Sequence, residues 1–168
     1  MEEFGGKVLA DKARPDPPNR PKNCVAEIVL KQGAQSKKQR AMQLSGERLK
    51  AMEDVTAEWL AEKKIEEGKG PWGSPCFQVA TKTANKWRAV VDMRHVNEQC
   101  VEDAYPLPRI GDMLVQQGAR EIHSALDLKD AFHQIPLAEG SRYITWTADP
   151  RCIFQWRVVV MGWKNGVQ

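Results

Sequence analysis

Ile122 to Leu128, Ile-His-Ser-Ala-Leu-Asp-Leu, is the stretch that most restricts what this chain can fold into. It is a strand-like, largely apolar run broken by one acid, Asp127. A carboxylate in such a run is costly to desolvate unless a cation or hydrogen-bond donors meet it. Two accounts of Asp127 fit. It caps a strand end as a buried acceptor, or it holds a metal ion at the end of a buried strand. The chain then turns through Lys129-Asp130-Ala131-Phe132, so the run is expected to be a central strand of an α+β domain.

With 168 residues the chain is long enough for one domain with its own core. A charged fraction of 28% beside a hydrophobic fraction of 42% is globular, not disordered, composition. The formal net charge is only +3, so any nucleic-acid surface has to come from local clustering. Cys24, Cys76, Cys100 and Cys152 are scattered without a paired motif, and His95, His123 and His133 add no metal-ligand spacing, which argues against zinc. Isolated thiols, no secretory segment and no long apolar run predict a soluble, intracellular, cytoplasmic chain without a membrane partner.

Along the chain, residues 1–23 carry Pro15, Pro17, Pro18 and Pro21 and read as an extended linker or tail. Cys24–Leu30 alternates as a strand anchored by Val25, Ile28 and Leu30. The basic stretch after it, with Lys37, Lys38 and Arg40, is either a solvated loop or a phosphate contact. Ser45 is placed to cap a helix running toward Glu67, with Leu49, Met52, Val55, Trp59 and Leu60 at helical spacing and Gly68 as its stop. Residues 68–75 are turn chemistry, and no Gly-Lys-Ser/Thr ending supports a phosphate loop.

Cys76–Ala80 and Lys86–Met93 are expected to form a hairpin with Lys82 and Lys86 at its tip. In its second strand Trp87, Ala89 and Val91 share the core face, while Arg88, Val90, Asp92 and Arg94 share the other. Two guanidinium groups with one acid suit a polyanion; a simple Arg–Asp surface pair at Asp92 is the alternative. Arg109–Gln117 should be a short helix closed by Gly118. Tyr143–Ala148 and Cys152–Met161 read as strands joined at Asp149-Pro150-Arg151. His133 has no acid or second histidine at useful spacing and is taken as structural.

Several segments, in order, resemble the reverse transcriptases of gypsy-type LTR retrotransposons. They are Pro71-Trp72-Gly73-Ser74-Pro75, the run Trp87–Asn97, Tyr105–Ile110 (Tyr-Pro-Leu-Pro-Arg-Ile), Ser124–Gln134, and Gly162-Trp163-Lys164-Asn165. The resemblance implies the fingers and first part of the palm of a right-hand polymerase. Fingers would be about 24–102 and 135–168, with a palm segment at about 103–134. It implies template-directed addition of deoxynucleotides to a primer on RNA or DNA, and membership of a longer polyprotein.

By the same resemblance, Asp127 and the Leu128 carbonyl would hold Mg²⁺ or Mn²⁺, two ions in a complete enzyme. Lys82, Arg88, Asp130, Ala131, Phe132 and Met161 would face the nucleotide, and Asp92, Arg94, Gly162, Trp163 and Lys164 the template and primer. Phe132 matches the aromatic that excludes a ribose 2′-hydroxyl, with ordinary core packing as the alternative. Lys82 stands about one residue from where relatives place a triphosphate lysine, and Met161 replaces a glutamine found in some of them. The family's second acidic motif, aromatic-x-Asp-Asp, is not found after Asp127. One acid cannot hold two magnesium ions with useful affinity. The chain is therefore expected to be cut short before that motif and inactive alone. It is either a polymerase fragment or a catalytically dead, nucleic-acid-binding remnant.

Overall fold

The computed structural model describes residues 24–82, 86–106, 108–118 and 122–167. The tail 1–23, the hairpin tip 83–85, Leu107 and Gln168 of the motifs above lie outside the described residues. The body is a five-stranded sheet with one long helix packed on it. Helix α1 is Glu47–Ala61; strands β1 (Ile65–Glu67), β2 (Ser74–Ala80) and β3 (Trp87–Val91) follow it. Then come α2 (Arg94–Gln99), α3 (Ile110–Gln117), a 3-10 turn at Ala131–Gln134, α4 (Glu139–Arg142), β4 (Thr147–Ala148) and β5 (Ile153–Trp156). The sheet order is β1-β5-β4-β2-β3, all neighbours antiparallel except β2 and β4.

The expected hairpin forms, with Cys76 opposite Val91 and Ala80 opposite Trp87. Helix α1 buries Met52, Thr56 and Trp59, which lie on one face at intervals of four and three. It does not begin on Ser45: Gly46 occupies the cap position with φ 57° and no side-chain cap. Nor does it reach Glu67. Lys63 turns left-handed (φ 57°), its N–H donating to the Leu60 carbonyl while the Lys64 N–H donates to the Trp59 carbonyl. That pair of bonds is the usual glycine-type helix stop, made here by lysine. The residues released become β1, and Ile65 is buried.

Four predicted strands are corrected. Cys24–Leu30 makes only single bridges, Ala26 with Leu137 and Leu30 with Cys100, because its backbone bonds are shared among separate segments. It is a strap, and Ile28 is its buried anchor. In Tyr143–Ala148 only the last two residues pair; Tyr143–Thr145 coils into a 3-10 turn. The Thr145 hydroxyl donates to the Arg142 carbonyl and accepts the Trp156 N–H, taking the place of a ladder carbonyl. The Cys152–Met161 strand is shorter than expected: after Trp156 the backbone leaves β4 and bonds instead to Lys64 and to Ile135–Leu137.

The fourth correction matters most. Ile122–Leu128 is not a strand; it runs unpaired, with Ile122 88% and Leu126 95% exposed. A strand requires a neighbour for its backbone groups, and no described segment supplies one. Helix α3 forms where expected, capped at Gly118, yet buries none of its residues. The packed body is therefore built from residues 24–103 and 131–167, and the described parts of 104–130 stand exposed, Ser124 to Asp130 among them.

Asp149 locks the β4–β5 turn to α1. Its Oδ1 accepts the N–H groups of Arg151 and Cys152, and its Oδ2 accepts the Thr56 hydroxyl and the Cys152 thiol. The carboxylate is buried, so its removal strands several donors. Asp149→Ala should lower unfolding free energy by about 1–3 kcal/mol or more, read as a lower urea midpoint at unchanged slope. A midpoint shift no larger than that of an exposed control such as Lys50→Ala would remove Asp149 from this role.

Candidate nucleotide and nucleic-acid site

Strand β3 presents Arg88 to solvent across from Val79, and Lys82 is exposed beyond the end of β2. Among the described residues Arg88 has no ion-pair partner, so its fork of donors is available to a phosphate. The predicted alternation holds in part: Val91 is buried and Trp87 and Ala89 are half-buried, while Val90 on the other face is half-buried too. Arg48 lies over the Trp87 ring at 4.6 Å from its centroid.

Asp92 and Arg94 are brought together. The guanidinium Nη2 donates to Oδ2 at 2.6 Å and Nε to Oδ1 at 2.9 Å, a forked pair, and the Arg94 N–H adds a third bond at 3.1 Å. Arg94 opens α2 instead of continuing the strand, and its side chain is 87% exposed. The hydrogen bond from Arg94 holds the Asp92 carboxyl below the usual carboxylate range. Asp92 thus meets Arg94 directly, and it orients a guanidinium whose remaining donors face solvent.

The turn after Leu128 is held from behind. Asp130 is left-handed (φ 51°), a conformation that aspartate tolerates better than most residues. Its carboxylate faces Lys64 Nζ at 3.3 Å, and Lys64 also pairs with Glu62 at 2.7 Å. Burial works to raise the Asp130 carboxyl, but the Lys64 charge and hydrogen bond, with His133 and Lys129, hold it below its ordinary value. Main chain and side chain are thereby divided: the carboxylate points to α1's end, and the backbone of Asp130-Ala131-Phe132 shapes the turn. Phe132 is half-buried and packs on the core, so the packing alternative describes at least one side of its ring.

Gly162-Trp163-Lys164-Asn165 is the other arm. Gly162 has φ +98°, where side-chain-bearing residues are strained. Met161 is exposed, whereas the Trp163 indole is 6% exposed and sits in the core. Trp163 therefore cannot meet a primer with its ring; it anchors the loop that carries its neighbours. Lys164 Nζ lies 3.8 Å from Glu102. Sequence reasoning missed Asn97, whose carboxamide holds this loop at two points. The signal available was its place as the last residue of the Trp87–Asn97 motif.

Asp127 itself is exposed, on the unpaired segment, with no apolar packing over it. Among the described residues no three His, Cys, Asp or Glu side chains lie close enough to hold a metal ion. With the Asp130 carboxylate committed to Lys64, the described residues offer one free acid at this point. They supply a single carboxylate, and by themselves they do not make a divalent-metal centre.

The family described as reverse transcriptase (RNA-dependent DNA polymerase) matches residues 79–168, a span that takes in β3, Asp127, Phe132 and the Gly162 loop. This chain belongs to the reverse transcriptase family. Among its relatives, the retrovirus-related Pol polyprotein from transposon 412 of Drosophila melanogaster is 42% identical over 91 residues, 51% of this chain and 7% of that protein. The enzymatic polyprotein of cauliflower mosaic virus (strain Strasbourg) is 32% identical across 98% of this chain and 25% of its own length. The Gag-Pro-Pol polyprotein of human T-cell leukemia virus 3 (strain 2026ND) is 35% identical across 73% of this chain and 9% of its own. The chain thus spans a quarter or less of these polyproteins.

His133 ties the reverse transcriptase turn to the core. Its ring stacks on Trp156 (centroids 5.4 Å apart, planes at 24°) and meets Trp59 edge-on at 6.4 Å. Burial pushes its pKa below 6.5, and the Lys64 charge adds to that. A histidine kept neutral in the fold but free to protonate when unfolded stabilises above its unfolded pKa and loses that contribution as pH falls below about 6.5. Urea stability should therefore decline between about pH 7 and pH 5. His133→Phe, which keeps an aromatic ring, should flatten that slope; an unchanged slope would assign the decline to other groups.

Proposed function

We propose that this chain is the nucleotide- and template-facing part of an RNA-directed DNA polymerase of a gypsy-type LTR retroelement. It works inside the cell as a piece of a longer polyprotein. The observation that carries the proposal is the match over 79–168, which encloses Arg88, Asp127, Phe132 and Gly162–Lys164 in a single family span. The substrates are deoxynucleoside triphosphates, and the macromolecular partner is a primer on an RNA or DNA template.

Each residue's surroundings support the role proposed for it. Arg88, exposed and without an ion-pair partner among the described residues, grips the incoming phosphates in a fork. Lys82 adds positive charge from the hairpin. The backbone N–H groups of Asp130-Ala131-Phe132 face triphosphate oxygens, while the Asp130 carboxylate stays with Lys64. Phe132 lies against the sugar, its back to the core, and leaves no room for a 2′-hydroxyl. Met161 borders the same site. Gly162 and Lys164 on the Trp163-anchored loop, with the Asp92-oriented Arg94, contact the template–primer backbone.

Asp127 and the Leu128 carbonyl would each give one oxygen to magnesium or manganese, two ions in the complete enzyme. Bound there, such ions would supply the positive charge that a phosphoryl transfer requires. The remaining ligands have to come from residues beyond the described set.

A second reading has its own support: the exposed Asp127 segment and the single free acid favour a chain that binds nucleic acid without polymerising. The 168-residue chain should bind a recessed template–primer but extend nothing with Mg²⁺ or Mn²⁺. In a polymerase completed by the rest of the catalytic domain, Asp127→Asn should abolish primer extension and leave template–primer affinity within about twofold. Extension retained by that variant would take Asp127 out of the metal site. In the same enzyme Phe132→Ala should admit ribonucleotides, raising their relative kcat/KM at least about tenfold, whereas unchanged sugar selectivity would leave Phe132 as core packing only.

A further inference from the structure

Two asparagine carboxamides join the Gly162 loop to the segment after the hairpin. Asn97 Oδ1 accepts the Lys164 N–H at 2.9 Å, and its Nδ2 donates to the Gly162 carbonyl at 2.8 Å. Asn165 reaches the other way, its Nδ2 donating to the Val101 carbonyl at 2.8 Å. The loop thus has its backbone pinned at both ends of Gly162–Lys164 by a side chain from α2. A primary amide is the side chain that can accept from one peptide group and donate to another at once.

The latch also reaches the Phe132 turn. A Cβ placed on Gly166 would come 3.5 Å from the Phe132 ring and 3.2 Å from a Val159 methyl. The backbone at 166 therefore passes directly behind that ring. Asn97 stands a few residues after β3, which bears Arg88, so the latch fixes three parts relative to one another: the Arg88 strand, the Gly162 loop and the Phe132 ring.

We propose that Asn97 is a positioning residue of the nucleotide site, holding the Met161–Lys164 loop at a set distance from Arg88 and Phe132. This rests on the nucleotide-site assignment above. Asn97 touches no substrate, and its effect reaches the nucleotide through the loop. The loop's exposed residues, Met161 and Gly162, are the parts that would drift when the latch opens.

The test has two arms. In the 168-residue chain, Asn97→Ala should speed amide hydrogen exchange at Lys164 about tenfold or more, with the β2–β3 amides unchanged. Asn97→Asp, which keeps the acceptor for the Lys164 N–H and loses the donor to Gly162, should show a smaller rise and serves in its place if the alanine variant does not fold. In the completed polymerase, Asn97→Ala should raise KM for deoxynucleotide about tenfold while template–primer Kd moves less than about twofold. Unaltered Lys164 exchange, or an unaltered KM in an enzyme where Arg88→Ala does raise it, overturns the proposal. If Arg88→Ala itself leaves KM unchanged, the nucleotide-site assignment is what fails, and the positioning role falls with it.

Discussion

Everything placed near the family's catalytic motif depends on a knot of rings behind it. Trp59 from α1 lies 4.7 Å from Trp156, Phe154 meets the same indole at 5.9 Å, and His133 stacks on it at 5.4 Å. Aromatic contacts of this kind add about 0.5–1.5 kcal/mol each beyond the area they bury. The knot joins a helix, an edge pair of strands and the 3-10 turn that carries Phe132. Without it that turn would hang from the exposed segment before it, and Phe132 would have no fixed wall at its back. Burial in the knot also pushes the His133 pKa down.

How much of this was legible in the sequence differs by element, for physical reasons. The β2–β3 hairpin and the Gly118 stop of α3 were legible because their signals are local: period-two alternation and a glycine at a helix end. The end of α1 was not, because Lys63 takes a left-handed conformation that its identity does not announce. Thr145 could not be read as a strand breaker either, since its hydroxyl acts only once Trp156 is beside it. Ile122–Leu128 carries a strand's composition, and composition cannot supply the neighbour a strand needs. The site divides the same way. Arg88's exposure followed from alternation, while the commitment of Asp130 to Lys64, of Asp92 to Arg94 and of Asn97 to the Gly162 loop all depend on tertiary approach.

The exposed half of the domain has a shared character. Ile110, Leu114 and Val115 on α3, then Ile122, Leu126 and Leu128, are apolar side chains left largely in water. Scattered singly they would need no comment, but here they follow one another along a single excursion of the chain. That excursion lies within the span that matches the reverse transcriptase family, in a chain that covers a quarter or less of these relatives' length. Asp127 sits within it, so the acid and its surroundings are organised together or not at all.

Charge gives the last step. With a net charge of only +3, a field over the whole surface cannot be what attracts nucleic acid. Many cations are also already engaged: Arg142 and Arg157 with Glu66, Arg151 with Glu53, Lys64 with Glu62 and Asp130, and Lys38 over the Trp146 ring. Lys37, Arg40, Lys50, Lys63, Lys69, Lys82, Lys86, Arg88, Arg109 and Lys129 are exposed and have no ion-pair partner among the described residues. Of these, Lys82, Lys86 and Arg88 lie on one hairpin. The proposed polyanion contact therefore falls on cations that remain unspent, and β3 is the strand that keeps its guanidinium free.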